Sequence, residues 1–503
     1  MSPRIRIIVY LAIIFAPQWC YAQKPLRSAF AERDITPEIG MERPGGYGKS
    51  YHRSIHDPCK VRAGVFDDGE QIVAVVSVDA LLVRRQLVTA ARNRIAKETS
   101  IRPDAILIHA THSHSSGPTG MIYPDEYHDA PEAIQKLAYE QSSTANAGYV
   151  AHVEDQIVDA VREAFQRRGI RQLSVGRGHE PNVAFNRRFL MSNGRTQTHP
   201  RPGNPEIVKV AGPTDPEVGV IGVWSEKGEL EGCLVNFVCH ATASPPGISA
   251  NYIYYVEQVI RGVFGEDVVL VFLAGASGDV TQVENVTPYA TRGAAESSRF
   301  VGGCIGAEAV KVLLREPRTE TVKIASRSTI LRIKRRAPSR ERVKRCQAMV
   351  EQDPGEVGRT NWTFAKEILL LNERLKKHPI ADAEVQAIQI GPAVLLTDPA
   401  EFFCQLGLNI KQGSKFPYTF PVSLANGCVG YVPTEEAFGP KGGGYETRLT
   451  SYSNLEITAG TQLVDAAIEL ASGMTPGEVP TRKPAAKFNG DGWEYGAVPP
   501  ELK

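Results

Sequence analysis

The chain has 503 residues, 57 Lys+Arg against 56 Asp+Glu, and 42% hydrophobic residues. A near-zero net charge excludes the basic face that a nucleic-acid binder needs, and 22% charged residues with ordinary Gly, Pro and aromatic usage exclude a disordered or fibrous chain. A chain this long can bury a core without disulfides or structural metals, so a metal here is expected to be functional.

Arg4 and Arg6 precede an apolar run from Ile7 to Ala16, followed by Cys20-Tyr21-Ala22. Residues 1–22 read as a secretory signal peptide, too short and wrongly flanked for a transmembrane anchor, with cleavage after Ala22. Removing Arg4 and Arg6 takes the net charge from +1 to −1. No later run approaches ~18 uninterrupted apolar residues. The expectation is an exported protein, periplasmic or extracellular, with no transmembrane segment and no nucleic-acid partner. Seven cysteines follow the leader: Cys59, Cys233, Cys239, Cys304, Cys346, Cys404 and Cys428. An odd, scattered set without a CxxC pair reads as buried apolar thiols with at most a bridge or two.

Strands are predicted at Gln71 to Val78, Ala105 to His109, Val218 to Val223, Leu234 to Cys239, Val268 to Leu273 and Val394 to Leu396. Helical periodicity fills Gln86–Lys97, Val150–Phe165, Tyr252–Phe264 and Glu296–Leu314. This alternation predicts an α/β fold: a layered α/β body with mixed β-sheets flanked by helices. Ser339 to His378 reads as a helical hairpin broken near Asp353-Pro354-Gly355. Residues 23–473 are expected to form one catalytic domain and residues 474–503 an extended Pro/Gly-rich tail.

Three strand ends carry chemistry. The first is Ala105-Ile-Leu-Ile-His109-Ala-Thr-His112-Ser-His114, where alternation along a strand would turn His112 and His114 to one side. Imidazole is the commonest protein ligand for zinc, so a metal or acid–base site is favoured over a packed His109 and two turn histidines. The second is Leu234-Val-Asn-Phe-Val-Cys239-His240. Two such transitions suggest a joint site at neighbouring strand ends. Zinc needs further ligands, for which Asp398 and Glu401 in Leu395-Leu-Thr-Asp398-Pro-Ala-Glu401 are the candidates. Glu401 could equally be a helix N-terminal charge, and spacing does not choose between the acids. In the third, Gly275-Ala-Ser277-Gly278-Asp279-Val280-Thr281, Ser277 or Thr281 could attack or orient a substrate. The glycine offsets do not support a Ser/His/Asp elbow.

Ordered motifs then carry a resemblance. They are Ala29-Phe-Ala-Glu-Arg-Asp34-Ile-Thr-Pro37, Gly45-Gly-Tyr47-Gly, His56-Asp57-Pro58, His112-Ser-His114-Ser-Ser-Gly-Pro118 and Asn186-Arg187-Arg188. Asn236-Phe-Val-Cys-His240-Ala-Thr, Gly278-Asp-Val-Thr281, Asp398-Pro-Ala-Glu401-Phe, Asn426-Gly-Cys-Val-Gly-Tyr431 and Gly444-Tyr445-Glu446 follow. From about Ala29 to Ala471 the chain resembles the catalytic domain of the neutral/alkaline, non-lysosomal ceramidase family. The resemblance implies one zinc ion per chain, held by His112, His240, Glu401 and Tyr431, with Asp398 set aside. It implies a secreted zinc-dependent amidohydrolase of sphingolipid metabolism, cleaving the N-acyl amide of ceramide, or a related acyl amide, by metal-activated water. His114 is implied as general base, and Arg187 and Tyr445 as oxyanion supports. Thr281 stands where the family usually has Ser, keeping the hydroxyl but adding a methyl. No counterpart of the immunoglobulin-like C-terminal domain of well-known ceramidases is expected in the tail. No long apolar segment supplies an acyl-chain groove, so a carbohydrate amide or ester is the alternative substrate.

Overall fold

A β-branched run such as Ile72–Val78 suits a pleated surface covered on both faces, and it and Leu230–Phe237 each form a strand with only one residue not fully buried. The computed structural model describes residues 24–287, 289, 292–482, 484–485, 493–496 and 498–503. The proposed signal peptide lies outside them.

Three sheets organise the chain. The first runs Ile106–Ala110, Ile72–Val78, Lys60–Asp67, Arg27–Asp34, Gly169–Ile170. The second runs Val269–Ala274, Leu230–Phe237, Glu217–Trp224, Gln172–His179, Arg318–Thr319. These two pack face to face over a core that includes Phe30, Phe66, Leu234 and Val271. Helices Arg85–Glu98 and Ala147–Arg167 cover the first sheet, and Tyr252–Phe264 and Ala294–Arg315 cover the second. The third sheet, Ile324–Lys334, Ile380–Ile390, Ala393–Thr397, Tyr418–Val422, packs on helices Cys404–Gly413 and Ala459–Ser472. The result is the layered α/β body with mixed, helix-flanked sheets that the alternation implied.

Each sheet holds one parallel pair, and each pair is joined through a helix. Ile72–Val78 pairs with Ile106–Ala110 across helix Arg85–Glu98. Leu230–Phe237 pairs with Val269–Ala274 across Tyr252–Phe264, and Ala393–Thr397 with Tyr418–Val422 across Cys404–Gly413. Parallel strands need such a crossover, and their carboxyl ends are where α/β folds place sites. Backbone bonds stitch these ends together: Ala110 N–H to Leu424 O at 3.2 Å, Ser423 N–H to Ala274 O at 2.9 Å, and His114 N–H to Ala241 O at 3.3 Å.

The helical hairpin is present as Arg340–Val350 and Arg359–Lys377 around a short turn at Pro354–Val357, where Asp353 Oδ1 accepts the Gly355 N–H at 2.7 Å. With Glu132–Tyr139 it encloses a small core of its own. Sequence periodicity did not reveal Lys60–Asp67, Gln172–His179, Ile324–Lys334, Ile380–Ile390 or the last two helices. Among them, Ile324–Lys334 buries only Ile324 and Ile333 among partly buried and exposed residues, too weak a pattern to stand out. After Ser472, the described residues form no helix or strand beyond a short turn at Glu494–Gly496, although Gly477 N–H still bonds Gly391 O at 3.0 Å. Among the described residues, the seven cysteines from Cys59 to Cys428 are free thiols, with no bridge between them.

Candidate functional site

The six carboxyl ends of the parallel strands deliver the candidate residues. Ala110 leads into His112 and His114, and Phe237 into His240. Thr397 leads to Glu401, and Val422 through a loop to Tyr431. The other two ends orient the histidines: His112 Nδ1 donates to Leu81 O at 2.7 Å, and His240 Nδ1 to Ser277 O at 2.7 Å. These carbonyls fix the tautomer, leaving Nε2 of both rings as lone-pair donors.

The route differs from the predicted strand alternation in one respect. The strand ends at Ala110, and His112 adopts φ +65°, in the left-handed region. His112 and His114 meet through this loop, with Nε2 atoms 3.3 Å apart, instead of sharing a strand face. A Cβ on Gly45, at φ +104°, would lie 2.3 Å from His114 Nδ1, so only glycine permits this ring position. His109 faces away from the group and donates Nε2–H to Phe272 O at 2.7 Å, as a packed core histidine.

Glu401 is not in a helix, as the dipole reading would have it. It begins the two-residue strand Glu401–Phe402, which pairs in parallel with Tyr431–Val432 and sets Glu401 opposite Tyr431. Gly278 allows this strand to approach, since a Cβ there would meet Glu401 O at 2.4 Å. Glu401 Oε2 lies 3.2 Å from His112 Nε2 and 3.0 Å from His240 Nε2, and the two Nε2 atoms are 3.0 Å apart. Oε2 is buried with no hydrogen-bond partner. Burial and then Arg187 push His240 down to about 4, so its ring is neutral. Asp398 is turned elsewhere: its oxygens accept Ser423 Oγ–H at 2.9 Å and Ala400 N–H at 3.1 Å.

Lone pairs gathered this closely repel one another unless a cation lies among them. Tetrahedral zinc with bonds of about 2.0–2.1 Å sets its ligand atoms about 3.3 Å apart, close to the spacings seen here. The residues therefore fit a metal ion. The ligand atoms of His112, His114 and His240 all lie within 4.8 Å of one another.

Arg187 and the tyrosines form the adjoining wall. Asn186 pairs with Val280, so the Gly278–Thr281 segment itself holds Arg187 in place. Arg187 Nη2–H donates to Tyr431 Oη at 3.2 Å and to Gly278 O at 2.6 Å, while Nε–H donates to Glu446 at 3.1 Å. The Tyr431 and Tyr445 hydroxyls are 2.7 Å apart. Thr281 is buried nearby, but its hydroxyl donates to Gln282 Oε1 at 2.8 Å and not to any of the gathered donors. Tyr452, which no motif contains, donates its hydroxyl to Glu401 Oε1 at 2.7 Å. Lying in the unremarkable run Thr450-Ser-Tyr452-Ser, it left no sequence signal.

Fold and donor set together define a mixed α/β protein with a metal-type cluster at its parallel strand ends. The chain matches no family model and no curated protein. It does superpose on the neutral ceramidase from Pseudomonas aeruginosa with a TM-score of 0.66 and 19% identity, over 92% of this chain and 77% of that one. A ceramidase complexed with C2 gives a TM-score of 0.64 and 20% identity over the same shares. The chain has the fold of the neutral ceramidases.

Proposed function

We propose that the protein is an exported zinc-dependent hydrolase of the neutral ceramidase type, cleaving the amide of an N-acyl lipid such as ceramide. The observation that carries this reading is Glu401 Oε2, buried without a partner between two Nε2 lone pairs at 3.2 and 3.0 Å. His112, His240, Glu401 and Tyr431 would hold the metal. Bound there, zinc supplies Lewis acidity, activating water at neutral pH and polarising the scissile carbonyl.

The chain's own groups supply the rest. Burial, with His112 and His240, holds His114 well below the ordinary histidine range, so its ring is neutral and free to accept a proton at Nε2. That proton then passes to the leaving amine nitrogen. The Arg187 guanidinium and the Tyr445 hydroxyl steady the negative oxygen of the tetrahedral intermediate. Thr281 narrows the wall beside Thr242 as a substrate contact.

One observation favours the alternative, a carbohydrate amide or ester. The groove starting at Tyr445 sets Asn193, Arg195, Gln197, Thr198 and Arg448 beside Met191, Ala437, Phe438 and Pro440, a mixed lining with polar groups that suit a sugar. The test is metal analysis and turnover of N-acyl-sphingosine beside N-acylated and O-acylated sugars. One zinc per chain is expected, lost together with turnover in His112→Ala and His240→Ala. Full activity of a metal-free protein would refute the metallohydrolase reading, and cleavage of the sugars alone would select the alternative.

A further inference from the structure

Tyr452, which holds Glu401 Oε1, is also a wall of a second cavity. Its charged lining is Arg84, Glu126, Arg335, Glu367 and Arg374, contributed by loops of the first and third sheets and by the helical hairpin. Its volume of about 30 Å³ has room for a few waters or one small ion.

The charges in this lining do not balance. Glu126 is shared between Arg84 at 3.1 Å and Arg374 at 3.4 Å. Glu367 is already engaged by Lys366 at 3.3 Å and by the Ser451 hydroxyl. Arg335 has no carboxylate within ion-pair distance among the described residues, and its Nη1–H bonds the neutral Asn454. Nε of Arg335, Nε of Arg374 and Oγ of Ser143, all on lining side chains, are buried without partners. Burial, reinforced by Arg374 and Arg84, pushes the Arg335 guanidinium down to about 9. Unpaired donors and surplus positive charge are costly away from water, and a bound anion removes both costs.

We propose that this cavity is a binding site for a single small anion of chloride size, held by Arg335, Arg374 and Ser143. Its volume excludes larger organic anions, and its position one side chain from Glu401 links its occupancy to the candidate site.

Bromide-soaked crystals of the full chain, measured at the bromine absorption edge, test this directly. An anomalous peak between Arg335 and Arg374 is expected; water density without a peak would overturn the proposal. In solution, the thermal midpoint should rise saturably with chloride over gluconate at fixed ionic strength, and Arg335→Gln should abolish that rise. Equal midpoints in the two salts would count against it, as would an equal effect of sulfate. If Arg335→Gln does not fold, the bromide experiment on the unaltered chain still decides.

Discussion

His112, His240 and Glu401 are each held from behind by a hydrogen bond: Leu81 O, Ser277 O and the Tyr452 hydroxyl. Such supports orient ligands and tune their basicity. Tyr452→Phe should therefore weaken zinc binding about 10- to 100-fold, read by competition with a chelator, while the fold survives. An unchanged affinity would show that Tyr452 is mere packing. Gly45→Ala places a methyl against His114 at a positive φ. Turnover should fall at least about 100-fold, the scale of a lost general base, with zinc content retained. Loss of zinc in this variant would instead make His114 a ligand.

At the level of elements, the site is a convergence of three strand–helix–strand units, stitched by short pairings. Asp279 is one of the stitches: Oδ1 accepts the Cys404 N–H at 2.8 Å and Oδ2 the Asn186 side chain at 2.8 Å. It thus joins the strand Phe185–Asn186, just before Arg187, to the start of helix Cys404–Gly413. Asp279→Ala strands two buried donors, each costing about 1–3 kcal/mol. Denaturant unfolding should show the loss as a lower midpoint. A midpoint equal to that of the parent would mean that water replaces the carboxylate without cost.

Across the whole molecule, the layers are pinned by a buried ionic cluster. Arg62, fully buried in the first sheet, bonds Asp79 at 2.7 Å and Glu257, on helix Tyr252–Phe264, at 2.7 Å. Burial opposes ionisation of Glu257, yet Arg62 and Lys60 bring its carboxyl down to about 2. Because the folded value lies below the unfolded one, this stabilisation is complete above about pH 4.5 and is lost as the pH falls toward 2. It amounts to at most on the order of 3 kcal/mol. Asp79, pushed up by its complete burial, works in the opposite direction. Urea midpoints should therefore fall more steeply for the parent than for Glu257→Gln between pH 4.5 and 2. Parallel curves would refute the assignment. Among the described residues, no helix is long and apolar enough to cross a membrane.

The α/β alternation was legible because strands buried on both faces are continuously apolar, and helices such as Tyr252–Phe264 keep an amphipathic period. His112, His114 and His240 stood out because histidines gathered at strand ends are chemically conspicuous. The choice of Glu401 over Asp398 was not legible from spacing, since both acids follow the same strand and only the pairing with Tyr431 separates them. Tyr452 and the arginine-lined cavity were equally silent, and Gly45 stood in a motif without its contact with His114 being legible. Composition and periodicity act over a few residues, and so the sequence alone determined only the elements with a strong apolar run or period and the chemistry available at their ends. Which of those ends meet, and which donors share a 3 Å space, was decided by three crossovers and the packing of three sheets, contacts between residues hundreds of positions apart.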